Sequence, residues 1–473
     1  MASALVPKLA LARAVGALSR MRGGGATSAP GKVLIRLDGD AIGAIGARLP
    51  RGSVLVSATN GKTTTAAMAA GIFEQAEIPL VHNRAGANMA GGIATALLDA
   101  TRRHGAIAGE LGLFEVDELW LDAVAAQLRP RAILLGNLFR DQLDRFGELE
   151  TIAERWAGEL HTDRLILNAD DPLIADLGRE HAEALYFGVE DDSLALAGMA
   201  HAADARHCRN CGAPYVFEAI YLGHLGHYHC PSCGQRRPTP AVTAGEVTLE
   251  GVRASRFTLR TPAGEAHVKL GLPGLYNVYN ALAAAALASA LEIPLQSIVA
   301  GLQETKAAFG RAESVMLSLG SADGAGSYNG GTETVRRELR ILLVKNPAGA
   351  NEVLRTLALE PGEHDVLGVL NDKIADGRDV SWVWDADFEL LAGRIRTVTC
   401  SGSRAPELAV RLKYAGIKDA RIRVQADLGQ ALREAAADRP DEHAPLYALP
   451  TYTAMLSLRE LLVARGEASS AWS

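Results

Sequence analysis

Ser53-Val54-Leu55-Val56-Ser57-Ala58-Thr59-Asn60-Gly61-Lys62-Thr63-Thr64-Thr65 is the stretch that decides the fold. A short apolar run ends in a turn, and a small-residue helical pattern follows to Ala76. Strand, glycine turn and helix in that order are the context a phosphate loop requires; the plainer reading is a chance GKT in an ordinary strand-helix turn. Gly61 lets the backbone approach an anion, and the first N–H groups of the helix point at it with the dipole behind them. Lys62 can reach β/γ-phosphates, and the Thr63 hydroxyl can hold Mg²⁺. The full GxxxxGK[ST] pattern is not met, because Val56 stands where its first glycine would be. A magnesium-nucleotide site also needs a carboxylate at another strand end. Glu115, opening Glu115-Val116-Asp117-Glu118 after Leu113-Phe114, fits that need; the plainer reading is a solvated acidic helix start.

Outward from the loop, Arg131 to Leu135 and Leu165 to Leu167 repeat the apolar-run pattern with helix-like stretches between. That alternation predicts an α/β fold with a parallel sheet. Gly245 to Leu270 alternates and reads as antiparallel strands, and Asn277 to Leu291 returns to helix. After a Gly/Ser-rich break at Gly320 to Gly331, Ile341 to Val344, Val366 to Leu370 and Ile395 to Thr399 read as strands of a second α/β unit. The expected organisation is an N-terminal segment over 1–50, a nucleotide-binding unit over 51–311 and a C-terminal α/β unit over 312–473. The length of 473 residues allows two to four domains at ~100–200 residues each. Hydrophobic residues are 48% and charged residues 22%, so neither a disordered chain nor a coiled coil fits.

The texture changes between 200 and 240. Cys208-Arg209-Asn210-Cys211 and Cys230-Pro231-Ser232-Cys233 are two CxxC pairs with 18 residues between them. Four thiolates at that spacing close a tetrahedral zinc site, structural because no position is left for water. His207, His224, His227 and His229 are nearby alternatives. Paired CxxC motifs without a secretory signal point to metal in a reducing, cytoplasmic setting. The fifth cysteine, Cys400, reads as a small buried residue. The net charge of −7 argues against broad nucleic-acid binding, including an ATPase that uses the zinc ribbon for that purpose. No apolar run reaches the ~20 residues that span a bilayer. Met1 to Arg22 is apolar with Lys8, Arg13, Arg20 and Arg22 spread along it. It reads as a surface helix packed on its own domain or as a basic helix at a membrane surface.

Several motifs together resemble the Mur ligases. They are Ala58 to Thr64, Asn137-Leu138-Phe139-Arg140-Asp141-Gln142-Leu143-Asp144-Arg145-Phe146-Gly147, Leu167-Asn168-Ala169-Asp170-Asp171-Pro172, and Leu275-Tyr276-Asn277-Val278-Tyr279-Asn280-Ala281. The Cys₄ insertion, His82 to Met89, Lys345-Asn346-Pro347-Ala348-Gly349 and Asn371 to Trp382 are most similar to the MurT group, synthetase subunits of lipid II isoglutaminyl synthase. The resemblance implies ATP-dependent amidation of the D-glutamate α-carboxylate of lipid II through an acyl phosphate. It further implies Mg²⁺ on Thr63 and Glu115, and ATP on Thr59, Asn60, Gly61, Lys62, Thr63, Thr64, Asn277, Asn280 and Arg311, with Asn277 and Asn280 toward the adenine end. Asn83 and Asn88 are implied near the substrate. Ammonia would come from a GatD-type glutaminase partner whose Cys-His pair is completed by Asp379, with Asp376 and Asp372 as alternatives. The competing reading is a Mur- or folylpolyglutamate-type ligase that adds an amino acid. Against it, Leu342 to Pro347 lacks the Asp and His of the usual Asp-x-x-His-Asn-Pro segment.

Overall fold

The computed structural model describes residues 2–21, 27–83, 87–102, 105–141, 149–160, 162–199, 203–305, 313–319, 335–438 and 444–468. Arg311, the Gly320–Gly331 loop, Arg84 to Gly86 and Gln142 to Gly147 lie outside the described residues.

A nine-stranded sheet carries the first half of the chain. Its strands are β1 (Ser53–Ser57), β2 (Leu80–His82), β3 (Leu111–Glu115), β4 (Ala132–Leu135), β5 (Arg164–Asn168), β6 (Ala184–Val189), β9 (Val242–Glu250), β10 (Ala254–Thr261) and β11 (Gly264–Leu270). The spatial order is β11-β10-β9-β6-β5-β4-β1-β3-β2. Strands β1 to β6 pair in parallel, β9 joins β6 in parallel, and β10 and β11 close the edge antiparallel. β1 is buried along its whole length, as a strand covered on both faces by helices must be. The antiparallel stretch read from the sequence therefore extends the parallel sheet. β1 sits between β3 and β4, where the strand order reverses, and such a point opens a crevice at the carboxyl ends of the strands.

One face of this sheet packs the helices Lys62–Gln75, Leu275–Ala290 and Leu295–Glu304. The alanines of Leu275–Ala290 let it lie close: Ala281 to Ala288 are all buried. The other face packs Ala2–Met21, Ala29–Leu37, Ala41–Gly46, Ala90–Ala100, Leu121–Leu128 and Leu149–Glu159. The insertion that bears the cysteines is a two-stranded sheet, β7 (Val216–Leu222) and β8 (Leu225–His229).

A six-stranded sheet follows, with β12 (Glu313–Leu319), β13 (Val335–Ile341), β14 (His364–Val369), β15 (Ile395–Ser401), β16 (Ile422–Val424) and β17 (Leu446–Pro450) in the order β12-β13-β17-β14-β15-β16. The strand expected at Ile341 to Val344 in fact runs Val335–Ile341. Its charged alternation hid it. Arg337 is buried there because Asp365 Oδ2 accepts from Nη2 at 2.6 Å and the carbonyls of Ala435 and Ala444 accept from Nη1 and Nε at 2.8 and 2.9 Å. Leu342 and Val344 still donate to the carbonyls of Ala448 and Pro450.

Removing Arg337 leaves Asp365 with Arg396 and Thr397 and strips the carbonyls of Ala435 and Ala444 of a donor. Arg337→Leu is expected to lower unfolding free energy by about 3 kcal/mol in urea titration. Arg340→Leu, on the half-exposed side of the same strand, should stay within about 1 kcal/mol.

Candidate active site

The phosphate loop starts where β1 ends. Gly61 takes φ +83°, a left-handed conformation that suits glycine. A Cβ there would fall 2.0 Å from Asn280 Oδ1, so the loop and the start of Leu275–Ala290 interlock at this glycine. Asn280 Oδ1 also accepts from Thr65 Oγ1 (3.2 Å), and its Nδ2 donates to Asn277 Oδ1 (3.1 Å). Asn277 Nδ2 donates to Pro273 O (2.7 Å). Both asparagines therefore stand at the phosphate end of the site, with their amides engaged by the protein.

Thr59 is buried and its hydroxyl accepts from Phe139 N (3.0 Å). Asn60 and Asn137 exchange two hydrogen bonds of 2.9 Å each. The strand-end segment Asn137 to Phe139 thus clamps the loop from the β4 side.

Lys62 is buried with its ammonium 2.8 Å from Glu118 Oε2, and it also donates to Ala58 O. Burial alone would pull its pKa down. Glu118 beside it, with Glu115 and Asp117 farther off, outweighs that and raises it. Burial would likewise push the Glu118 carboxyl up. Lys62 outweighs that, with Lys345 adding to the effect, and holds it below the usual carboxylate range. The pair is charged at neutral pH.

Glu115 ends β3, which lies beside β1 with Val56 opposite Glu115. Thr63 Oγ1 donates to Glu115 Oε1 at 3.1 Å. A hydroxyl and a carboxylate this close are a fitting donor set for a hard divalent cation. The Asn83 amide brackets the backbone of Glu115: Nδ2 donates to Glu115 O (2.8 Å) and Oδ1 accepts from Glu115 N (2.9 Å). Asn88 offers its carbonyl to Asp117 N (2.8 Å).

The C-terminal sheet reaches the same cleft. Asn346 caps the helix Pro347–Ala358 through Gly349 N (2.8 Å) and donates from Nδ2 to Asn60 Oδ1 (2.9 Å). Lys345 ion-pairs with Asp141. These contacts and the Glu118 pairing were not foreseen. The stretch Lys345 to Gly349 was noticed only as a family mark, and nothing local announces a partner more than 200 residues away.

In the insertion, the Sγ atoms of Cys208, Cys211, Cys230 and Cys233 all lie within 4.8 Å of one another, a cluster that can hold a metal ion. Gly212 and Gly234 each take φ +75° after their knuckle. Two of the candidate histidines are engaged away from the cluster. His224 is fully buried against Phe139 (ring centroids 4.5 Å) with Nε2 3.4 Å from Asp171 Oδ2, and His227 Nε2 lies 2.9 Å from Val189 O. Cys400 is buried, and burial pushes its thiol up to about 12. No described helix is long and apolar enough to cross a membrane.

On the loop after β14, Asp372 is held by Ser403 and Arg404. Asp376 is buried and accepts from Thr453 N (2.7 Å). Asp379 is exposed, and its Oδ1 accepts from Ser381 N (2.8 Å).

Asn83→Ala removes both anchors of the Glu115 backbone. The expected results are a stability loss of about 1–3 kcal/mol and a Mg²⁺ requirement for ATP turnover raised by about tenfold. Magnesium titration at saturating nucleotide reads the second.

The family profile for the Mur ligase middle domain matches residues 56–228, and that for the MurT ligase C-terminal domain matches 343–455. The chain is 33% identical, over 95% of its length and 94% of the relative's, to the lipid II isoglutaminyl synthase (glutamine-hydrolyzing) subunit MurT of Streptococcus pneumoniae (strain ATCC BAA-255 / R6). It is 30% identical, over 96% of each chain, to the subunit of the same name from Staphylococcus aureus (strain N315). Among solved structures, a pseudomurein peptide ligase type C from Methanothermus fervidus superposes with a TM-score of 0.65 at 23% identity, over 88% of this chain and 79% of that one. MurF from Acinetobacter baumannii gives 0.62 at 19% identity, over 93% and 79%. The full-length kinship, the two profile matches and the Cys₄ insertion agree, and the chain belongs to the MurT family of Mur-type ligases.

Proposed function

We propose that this chain is the synthetase subunit of an amidotransferase that converts the α-carboxylate of D-glutamate in the lipid II stem peptide to the amide, using ATP and ammonia. The observation that carries this reading is the convergence of the phosphate loop, the Thr63–Glu115 pair and the Lys345–Asn346 segment on one cleft, in a chain related end to end to subunits of that name.

A carboxylate is a poor electrophile. Transfer of the γ-phosphoryl group to one of its oxygens, with release of ADP, gives an acyl phosphate. Ammonia then attacks the carbonyl carbon, the C–O bond to phosphate breaks, and the amide and inorganic phosphate leave after loss of a proton. Such a transfer is catalysed chiefly by positioning and charge. The backbone from Thr59 to Thr64 cradles phosphates, and Lys62 and Lys345 bring two cations to the cleft from its two sides. Thr63 and Glu115 are the donors for Mg²⁺, which neutralises phosphate charge. Asn277 and Asn280 support the loop and Arg311 is assigned to the nucleotide. Asn83 and Asn88 set the wall that carries Glu115 and Asp117.

Cys400 cannot release ammonia from glutamine, so the nitrogen comes from a partner glutaminase of the GatD type. Asp379 is the exposed member of the three aspartates on its loop and is assigned to complete the partner's Cys-His pair. The chain works at the cytoplasmic face of the membrane, where a lipid-linked peptide is presented.

The cysteine cluster is assigned to structural zinc. A tetrahedron with Zn–S bonds of about 2.3 Å has edges of about 3.8 Å, and the Cys208–Cys233 and Cys211–Cys230 sulfurs lie 3.6 and 3.4 Å apart.

Two tests follow. Asp379→Asn should lower glutamine-driven amidation of lipid II by about a hundredfold or more while leaving ammonia-driven amidation within about twofold; equal losses in both assays would remove Asp379 from the partner's site. Elemental analysis should find one zinc per chain. Cys208→Ser should lower the melting temperature and raise the KM for ATP, because the insertion reaches Thr59 through His224 and Phe139.

A further inference from the structure

The helix Ala2–Met21 uses only one side to hold the protein together. Leu5, Leu9, Ala12 and Gly16 are buried on that side. Lys8 pairs with Asp38 (2.9 Å), and Arg13 donates to Leu98 O (3.1 Å). The opposite side faces solvent, and there a helix of a globular protein is normally polar. Here every exposed position among its described side chains is Val, Pro, Ala, Leu or Met. Val6, Leu11, Leu18 and Met21 are 40%, 53%, 52% and 75% exposed. They recur along the same side over about four turns.

Charge around this face is one-sided. Residues 1–37 hold Lys8, Arg13, Arg20, Arg22, Lys32 and Arg36 and no carboxylate, in a chain whose net charge is −7. Lys32 and Arg36 are exposed on the adjoining helix Ala29–Leu37, as is Leu37.

We propose that this face docks on the surface of an anionic lipid bilayer, with the helix lying in the plane of the interface. An apolar strip with basic residues on its flanks is the pattern of an interfacial helix, and each cation near an anionic surface adds to binding. A second copy is the poorer occupant, because pairing the face with itself would bring like charges, the exposed Lys32 and Arg36 of each copy, together. The docking surface is also rigidly tied to the active site. Gly31 N donates to Thr95 Oγ1 (2.9 Å), which binds Ala29–Leu37 to Ala90–Ala100. That second helix starts directly after the Asn88 loop.

The test is sedimentation of the full chain, with its glutaminase if the two purify together, on extruded vesicles without substrate, so it is independent of the amidation reading. The parent should pellet with phosphatidylcholine vesicles containing about one-third phosphatidylglycerol, should stay in solution with phosphatidylcholine alone, and should be released as salt rises toward about 0.5 M. Leu11→Glu combined with Leu18→Glu should lower partitioning by about tenfold or more, with an unchanged melting temperature and ATP turnover. If that variant unfolds, Lys32→Glu with Arg36→Glu on the neighbouring helix should give the same loss. A parent that never pellets, or variants that pellet as well as the parent, would overturn the proposal. So would a parent whose oligomeric mass or glutaminase binding falls in the variants while vesicle binding is absent.

Discussion

The buried ion pair between Lys62 and Glu118 is the interaction on which the rest of the site depends. An ammonium at the root of a phosphate loop must be out of water to act strongly on phosphate, yet it is costly to bury alone. Glu118 and the carbonyl of Ala58 satisfy it. The pair also fixes the sheet geometry around it. β1 and β3 must be neighbours, so that the loop after one meets the carboxylates at the end of the other. Glu115 then lies within reach of Thr63, and its backbone is held in place by Asn83.

Two outlying parts of the chain buttress that centre. The cysteine insertion presses His224 on Phe139, while Asp171 caps its own helix and accepts from Leu138 N (2.8 Å). Asp170 gathers Arg237 from the end of the insertion and Tyr279 from the helix Leu275–Ala290, each at 2.6 Å. The insertion, far from the phosphate loop, thereby braces the strand ends beside it. From the other side, Asn346 and Lys345 bring the C-terminal sheet to Asn60 and Asp141. The proposed acyl phosphate must be kept from water until ammonia reaches it, and contact between the two sheets across the cleft serves that need.

Features set by local chemistry were legible in the sequence. The glycine turn before Lys62, the two CxxC knuckles and the strand ending in Glu115 each announce themselves within a few residues. Features set by distant partners were not. Arg337 reads as a surface residue until Asp365 and a ring of carbonyls take up its donors. Nothing beside Asn83 in the sequence announces that its amide holds the backbone of Glu115 at both ends. The N-terminal helix was open to two readings, one packed and one at a membrane. Its buried side matches the first reading, and its outer side keeps the apolar surface that the second requires.

The acyl phosphate is the chemical centre of the proposed function, and oxygen transfer tests it most directly. Lipid II carrying ¹⁸O in the D-glutamate α-carboxylate should yield inorganic phosphate with one labelled oxygen for each amide formed, read by mass spectrometry. Amide formation with unlabelled phosphate would contradict phosphorylation of the carboxylate.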